Sequence, residues 1–175
     1  DFEQLYPLFF KSVLEIQKAD ISEFSGFGEF SEDGIPEFST FKDFLVKSFD
    51  DSNDDYWKNW KELFNTSMMK KEFFEKYSNK MIELSSFCEN QRFLVNNNLF
   101  FGNTVIMNDK VGFLDWNRVA ITDWILDFAT MDLHRPYFNI PEKMVPYFKE
   151  NEIEVPNFKE RFLCMAYYKG LNALR

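Results

Sequence analysis

Phe93-Leu-Val-Asn-Asn-Asn-Leu-Phe-Phe-Gly-Asn103, with Asp115-Trp116 following twelve residues after Asn103, is the stretch whose reading decides the fold. Phe93–Val95 and Thr104–Met107 are short β-like runs. Asn108-Asp109-Lys110 reads as a turn ahead of the apolar run Val111–Leu114. Two strands of four to five residues and a tight turn return the chain to where it began. The hairpin therefore brings Asn103 back to Asp115, an amide carbonyl beside a carboxylate. Both are oxygen donors, the ligand type that hard divalent cations take. The asparagines between Val95 and Leu99 form a neutral polar loop. Asn tolerates left-handed backbone better than other non-glycine residues, which suits a tight reversal there.

Outside this stretch the pattern is helical. Leu5, Phe9, Val13 and Ile16 predict an amphipathic helix over 2–19, with Pro7 tolerable near its start. Residues 20–39 hold three of the six glycines plus Pro36 and read as a long loop. Ser39 is placed to cap a short helix over 40–49. Asp54 and Asp55 favour the start of another through Trp57, Trp60 and Phe64, since carboxylates suit the positive end of a helix. Phe73, Tyr77, Met81 and Leu84 mark a longer helix over 69–87. The aromatic residues of both segments, Trp57, Trp60, Phe64, Phe73 and Tyr77, are read as core. Helical spacing resumes at Asp123, with interruptions expected at Pro136, Pro141, Pro146 and Pro156. The resulting fold class is α+β, mainly helical, with one small β-hairpin at about 104–115.

The loop and hairpin resemble the catalytic loop and metal aspartate of the aminoglycoside phosphotransferase family, whose pattern is H-G-D-x-x-x-x-N, a hairpin and D-W. Asn96, Asn97 and Asn98 stand where His, Gly and Asp are expected. Three further stretches occur in the right order. Ser25-Gly-Phe-Gly-Glu-Phe30, then Phe38-Ser-Thr-Phe41, is similar to S-G-F-G-x-F and W-R-x-F. Thr122-Asp-Trp-Ile-Leu-Asp-Phe-Ala129 is similar to G-D-P-x-Y-D-L-A, and His134-Arg-Pro-Tyr137 to W-R-P-W. The match is nearest to the hygromycin B phosphotransferase branch.

The resemblance implies a protein-kinase-like C-terminal lobe, ATP and Mg²⁺ as cofactors, and phosphoryl transfer to a hydroxyl of a small cationic, aminoglycoside-like substrate. Asn103 and Asp115 would hold the metal, and Asn98 occupies the base position. An amide is no useful base at physiological pH. Losing a positioned base costs roughly 10²–10⁴-fold, so the expectation is a weakened or inactive enzyme. The alternative is a pseudokinase-type binding module for a small cationic ligand or a protein partner. In the family, Asp123 and Asp127 would start a helix and buttress the loop.

The family has two lobes, and 175 residues with no G-x-G-x-x-G run lead to the expectation that the N-terminal nucleotide lobe is absent from this chain. Twenty-three Phe, within an aromatic share of 19%, predict a ring-filled core. A net charge of −9 argues against a nucleic-acid partner, which needs clustered Lys and Arg. No apolar run is long enough to span a membrane, and the first residues do not read as a signal peptide. Cys88 and Cys164 lack metal-type spacing and read as buried reduced thiols of a cytoplasmic protein. His134 reads as a packed or partly exposed side chain, and Glu150, Glu152 and Glu154 as a solvated face.

Overall fold

The site rests on a small antiparallel sheet wedged among helices. The computed structural model describes residues 5–51, 58–108 and 110–175. In chain order the elements are α1 (Tyr6–Ile16), β1 (Phe27–Phe30), β2 (Pro36–Phe38), α2 (Phe41–Lys47), α3 (Leu63–Thr66) and α4 (Lys71–Leu84). Next come β3 (Phe93–Val95), β4 (Thr104–Met107), β5 (Lys110–Phe113), β6 (Ala120–Thr122), α5 (Ile125–His134), α6 (Ile140–Glu150) and α7 (Phe158–Leu174). The molecule is α+β and mainly helical, with the hairpin β4–β5 embedded as its sequence predicts. Thr104 faces Phe113, and Met107 faces Lys110.

Three strands depart from the sequence reading. Residues 20–39 are not simply a loop: they contain β1 and β2, which join β6 and β3 in the order β2-β1-β6-β3. Gly28 and Glu29 of β1 pair with Ile121 and Ala120 of β6, and Leu94 of β3 pairs with Ile121 from the other side. Strands of three or four residues have too little alternation to announce themselves, and the β6 partner of β1 lies far off in sequence. Gly28 sits at φ 94°, where a Cβ would lie 2.7 Å from the Phe38 ring. That fixes the glycine at the point where β1 and β2 meet.

Helix boundaries shift for local reasons. The first helix is α1, shorter than 2–19, with residues 2–4 outside the described residues. It buries Tyr6, Phe9, Phe10 and Val13 and sets Phe9 against Phe113 of the hairpin at 5.0 Å between ring centroids. The cap of α2 is Thr40, not Ser39: Thr40 is extended and its Oγ1 accepts the Asp43 N–H at 3.0 Å. The helix predicted from Asp54, Asp55 and Trp57 falls largely outside the described residues. The next described element is a 3₁₀ turn, Trp60–Glu62, which leads into α3.

On α4 the predicted face holds at Tyr77, Met81 and Leu84 but begins one residue later. Phe74 is 7% exposed whereas Phe73, expected in the core, is 51% exposed. Trp60 is buried, and Phe64 and Tyr77 pack partly buried against the core. Pro136, Pro141 and Pro156 lie at helix boundaries as expected, but α6 runs through Pro146. An internal proline removes one backbone hydrogen bond, and here the buried face of Ile140, Met144 and Phe148 holds the helix together. Cys88 and Cys164 are both free and buried, and the hydrogen bond with Cys164, then burial, push the Cys88 thiol up. Among the described residues no helix is long and apolar enough to cross a membrane.

Candidate functional site

The loop after β3 turns on Asn97, whose φ of 60° is left-handed. Its floor is Asp127, on the first turn of α5 and 1% exposed. One carboxylate oxygen accepts the Asn96 N–H at 3.0 Å, and the other accepts the Asn97 N–H at 2.8 Å. Burial raises the Asp127 pKa to about 6, and the two N–H donors and Lys169 act in the opposite direction. Asp123, fully buried, accepts the Ile125 N–H and receives a two-pronged pair from Arg161 at 2.7 and 2.8 Å. The two aspartates thus start α5 and support the loop.

The three residues singled out by sequence come together. Asn98 Nδ2 donates to Asp115 Oδ2 at 2.7 Å, and Asn103 Nδ2 lies 3.5 Å from the same oxygen. Asn103 Nδ2 also donates to the Asn98 carbonyl at 3.0 Å, and the Leu114 N–H donates to the Asn103 carbonyl at 2.8 Å. Asp115 is exposed, at the end of the hairpin, with φ 56°. With its nitrogen committed to Asn98, Asn103 presents Oδ1 as its free acceptor. An amide oxygen beside an exposed carboxylate fits Mg²⁺, which takes few protein oxygens and completes its shell with phosphate and water. No group of three or more His, Cys, Asp or Glu suited to a metal occurs among the described residues, so nothing here resembles an all-protein metal cage.

Other functional side chains come from elements distant in sequence. Lys169, on α7 and 8% exposed, donates to the Asn97 carbonyl at 2.7 Å and to Asn97 Oδ1 at 2.8 Å. Burial lowers its pKa to about 8. Glu29, on β1, accepts from Asn97 Nδ2 at 3.0 Å and from Arg118 at 2.6 and 3.1 Å. A cavity of about 310 Å³ opens beside the loop, lined by Asn98, Arg118, Thr130, His134, Lys169 and Asn172. His134 stacks near Phe100 at 5.3 Å, and burial, then Lys169 and Arg135, lower its pKa. Glu150, Glu152 and Glu154 are exposed.

Lys169, Glu29 and Arg118 escaped the sequence reading. One signal was present: Arg161 and Lys169 both lie on the buried face of α7, and a cation on an apolar helix face needs a partner.

No protein-family model and no curated protein matches this chain. Solved structures do. Aminoglycoside phosphotransferase APH(4)-Ia superposes with a TM-score of 0.71 at 23% identity, over 97% of this chain and 55% of that one. A thermostable mutant of it, in ternary complex with AMP-PNP and hygromycin B, gives 0.66 at 22% identity, over 97% and 57%. Another, with ADP and hygromycin B, gives 0.63 at 21% identity, over 97% and 57%. The chain thus has a kinase-like C-lobe fold and spans little more than half the length of the structures it matches.

Proposed function

We propose that this chain is the acceptor-side lobe of an ATP-dependent phosphotransferase, weak or inactive as it stands because Asn98 occupies the base position. The observation that carries the reading is the meeting of Asn98, Asn103 and Asp115 within 2.7–3.5 Å, with Asn98 also lining a cavity. Asn103, through Oδ1, and Asp115 would hold Mg²⁺. When bound, that ion neutralises phosphate oxygens during transfer. Asn98 Oδ1 can accept a hydrogen bond from an acceptor hydroxyl in the cavity and orient it. It cannot take the proton. The acceptor is a hydroxyl-bearing small cation of aminoglycoside type, a reading supported by the hygromycin B complexes of the same fold. A cytoplasmic setting, with ATP and reduced thiols, accompanies this reading.

A second reading is favoured by one observation: protein contacts from Asp127 and Lys169 hold the loop by themselves. On that reading the chain is a binding module that engages a ligand without transferring phosphate.

A radiolabelled phosphate-transfer assay separates the defects, with hygromycin B and kanamycin as acceptors. It compares the unmodified chain and Asn98→Asp, each with and without an added N-terminal lobe from a related phosphotransferase. Only Asn98→Asp with the lobe is expected to transfer substantially, faster than the lobe-supplied unmodified chain by on the order of 10²-fold or more. Equal rates for the two lobe-supplied proteins would show that Asn98 does not occupy the base position. Acceptor binding by calorimetry with no transfer in any combination would establish the binding module instead.

A further inference from the structure

The asparagine side chains of this loop are tied into a ring that closes on Asp115. Asn96 Nδ2 donates to the Leu114 and Asp115 carbonyls at 3.2 and 3.3 Å, and Asn96 Oδ1 accepts the Asn98 N–H at 3.1 Å. Asn103 Nδ2 returns to the Asn98 carbonyl, and Asn98 Nδ2 completes the ring on Asp115 Oδ2 at 2.7 Å. Distance fixes which end of the Asn98 amide faces the carboxylate. An amide oxygen that close to a carboxylate oxygen would have no proton between them, so the nitrogen must face it. Asp115 Oδ2 therefore faces the amide nitrogens of both Asn98 and Asn103.

We propose that the Asn98 amide is a built-in replacement for the cation at Asp115. Its N–H supplies the positive partner that a divalent ion would otherwise supply to the carboxylate, so the loop closes without metal, and a cation must displace the amide to bind. This inference rests on the reading of Asn103 and Asp115 as the cation pair. An aspartate at position 98 would set two carboxylates face to face, and one of them would need a cation or a proton to stay there. The amide removes that requirement. The acceptor cavity is then formed in cation-free protein, and ligand binding there is independent of divalent ions.

The test uses Tb³⁺ as the probe, with Trp116 beside Asp115 as the sensitiser, together with thermal unfolding in EDTA and in Mg²⁺. Asn98→Ala is expected to bind Tb³⁺ about 3–10-fold more tightly than the unmodified chain, the equivalent of one net hydrogen bond removed from competition. Its midpoint in EDTA should fall by about 2–4 °C. Asn98→Asp should bind more tightly still and regain in Mg²⁺ the midpoint it loses in EDTA, while the unmodified chain shows the same midpoint in both. If Tb³⁺ emission depends on Asp115, by comparison with Asp115→Asn, yet Asn98→Ala gains no affinity, the amide does not compete and the proposal is overturned. If emission is independent of Asp115 in every variant, the cation-pair reading itself fails, and the replacement falls with it.

Discussion

Asp127 and Lys169 carry opposite charges on either side of the Asn97 backbone, and each is disfavoured in its charged form. The Asp127 carboxyl titrates in the folded chain at about 6 against an ordinary 3.8, and Lys169 at about 8 against 10.5, burial being the first cause of both shifts. The penalty on the carboxylate is complete above pH 6 and is relieved as pH falls toward 3.8. The penalty on the ammonium is complete below pH 8 and is relieved as pH rises toward 10.5. The unfolding free energy of the unmodified chain, relative to the double variant Asp127→Asn/Lys169→Met, should therefore be lowest between pH 6 and 8. It should rise by about 1–3 kcal/mol on each side, read from urea unfolding across pH 4–10. Lys169→Met alone should cost about 2–4 kcal/mol at pH 7, because it strips two donors from Asn97 and leaves Asp127 without a counter-charge. At this scale the sequence was a good guide to the meeting of Asn98, Asn103 and Asp115, since a short hairpin forces its two ends together. It was silent on Lys169 and Glu29, whose partners lie 72 and 68 residues away.

The start of α5 is where elements lock to one another. Asp123 caps its first turn, and Arg161 reaches across from α7 with both components of the pair almost wholly buried, 2% and 0% exposed. Arg161→Met should cost about 3–5 kcal/mol in urea unfolding, because it abandons a buried carboxylate. Arg161→Lys should recover only part of this, lacking the planar fork. Thr40→Ala should lower stability by about 1 kcal/mol, and Ser39→Ala by distinctly less, which distinguishes the observed cap of α2 from the neighbouring hydroxyl. Long helices were legible here because apolar side chains recur at a fixed period. The choice of Phe74 over Phe73 at the start of α4 was not, since both offer the same ring, and packing against Trp60 and Phe49 selects Phe74. Nor was the passage of α6 through Pro146, which tertiary burial permits and local preference opposes.

Across the described residues, ring-on-ring packing runs through the core alongside buried aliphatics such as Leu45, Ile121 and Leu126, as the phenylalanine count predicts. Phe10 meets Phe128 and Tyr147, and Phe44 and Phe49 both meet Tyr168. Matched structures holding AMP-PNP or ADP are nearly twice as long as the aligned chain. Residues 1–175 alone are therefore expected to show no micromolar affinity for ATP·Mg by calorimetry. On the proposed reading Asn103 and Asp115 would supply only two oxygen ligands, too few to hold ATP·Mg that tightly, and micromolar binding would point to a rearranged nucleotide site.

The position of β6 between β1 and β3 also bears on how quickly this molecule forms. Its Ile121 is fully buried and contacts a strand about ninety residues earlier on one side and one about thirty residues earlier on the other. Closing the longer segment is an entropic cost met before any of its ladder bonds return free energy. The hairpin β4–β5 and the helices can form from local contacts, whereas the central ladder waits for both flanks. Ile121→Val should consequently act mainly on the unfolding rate in stopped-flow measurements, with a φ-value near zero, while Val111→Ala in the hairpin slows refolding. The asparagine loop, strung between β3 and the hairpin, would then be among the last parts of the chain to find its shape.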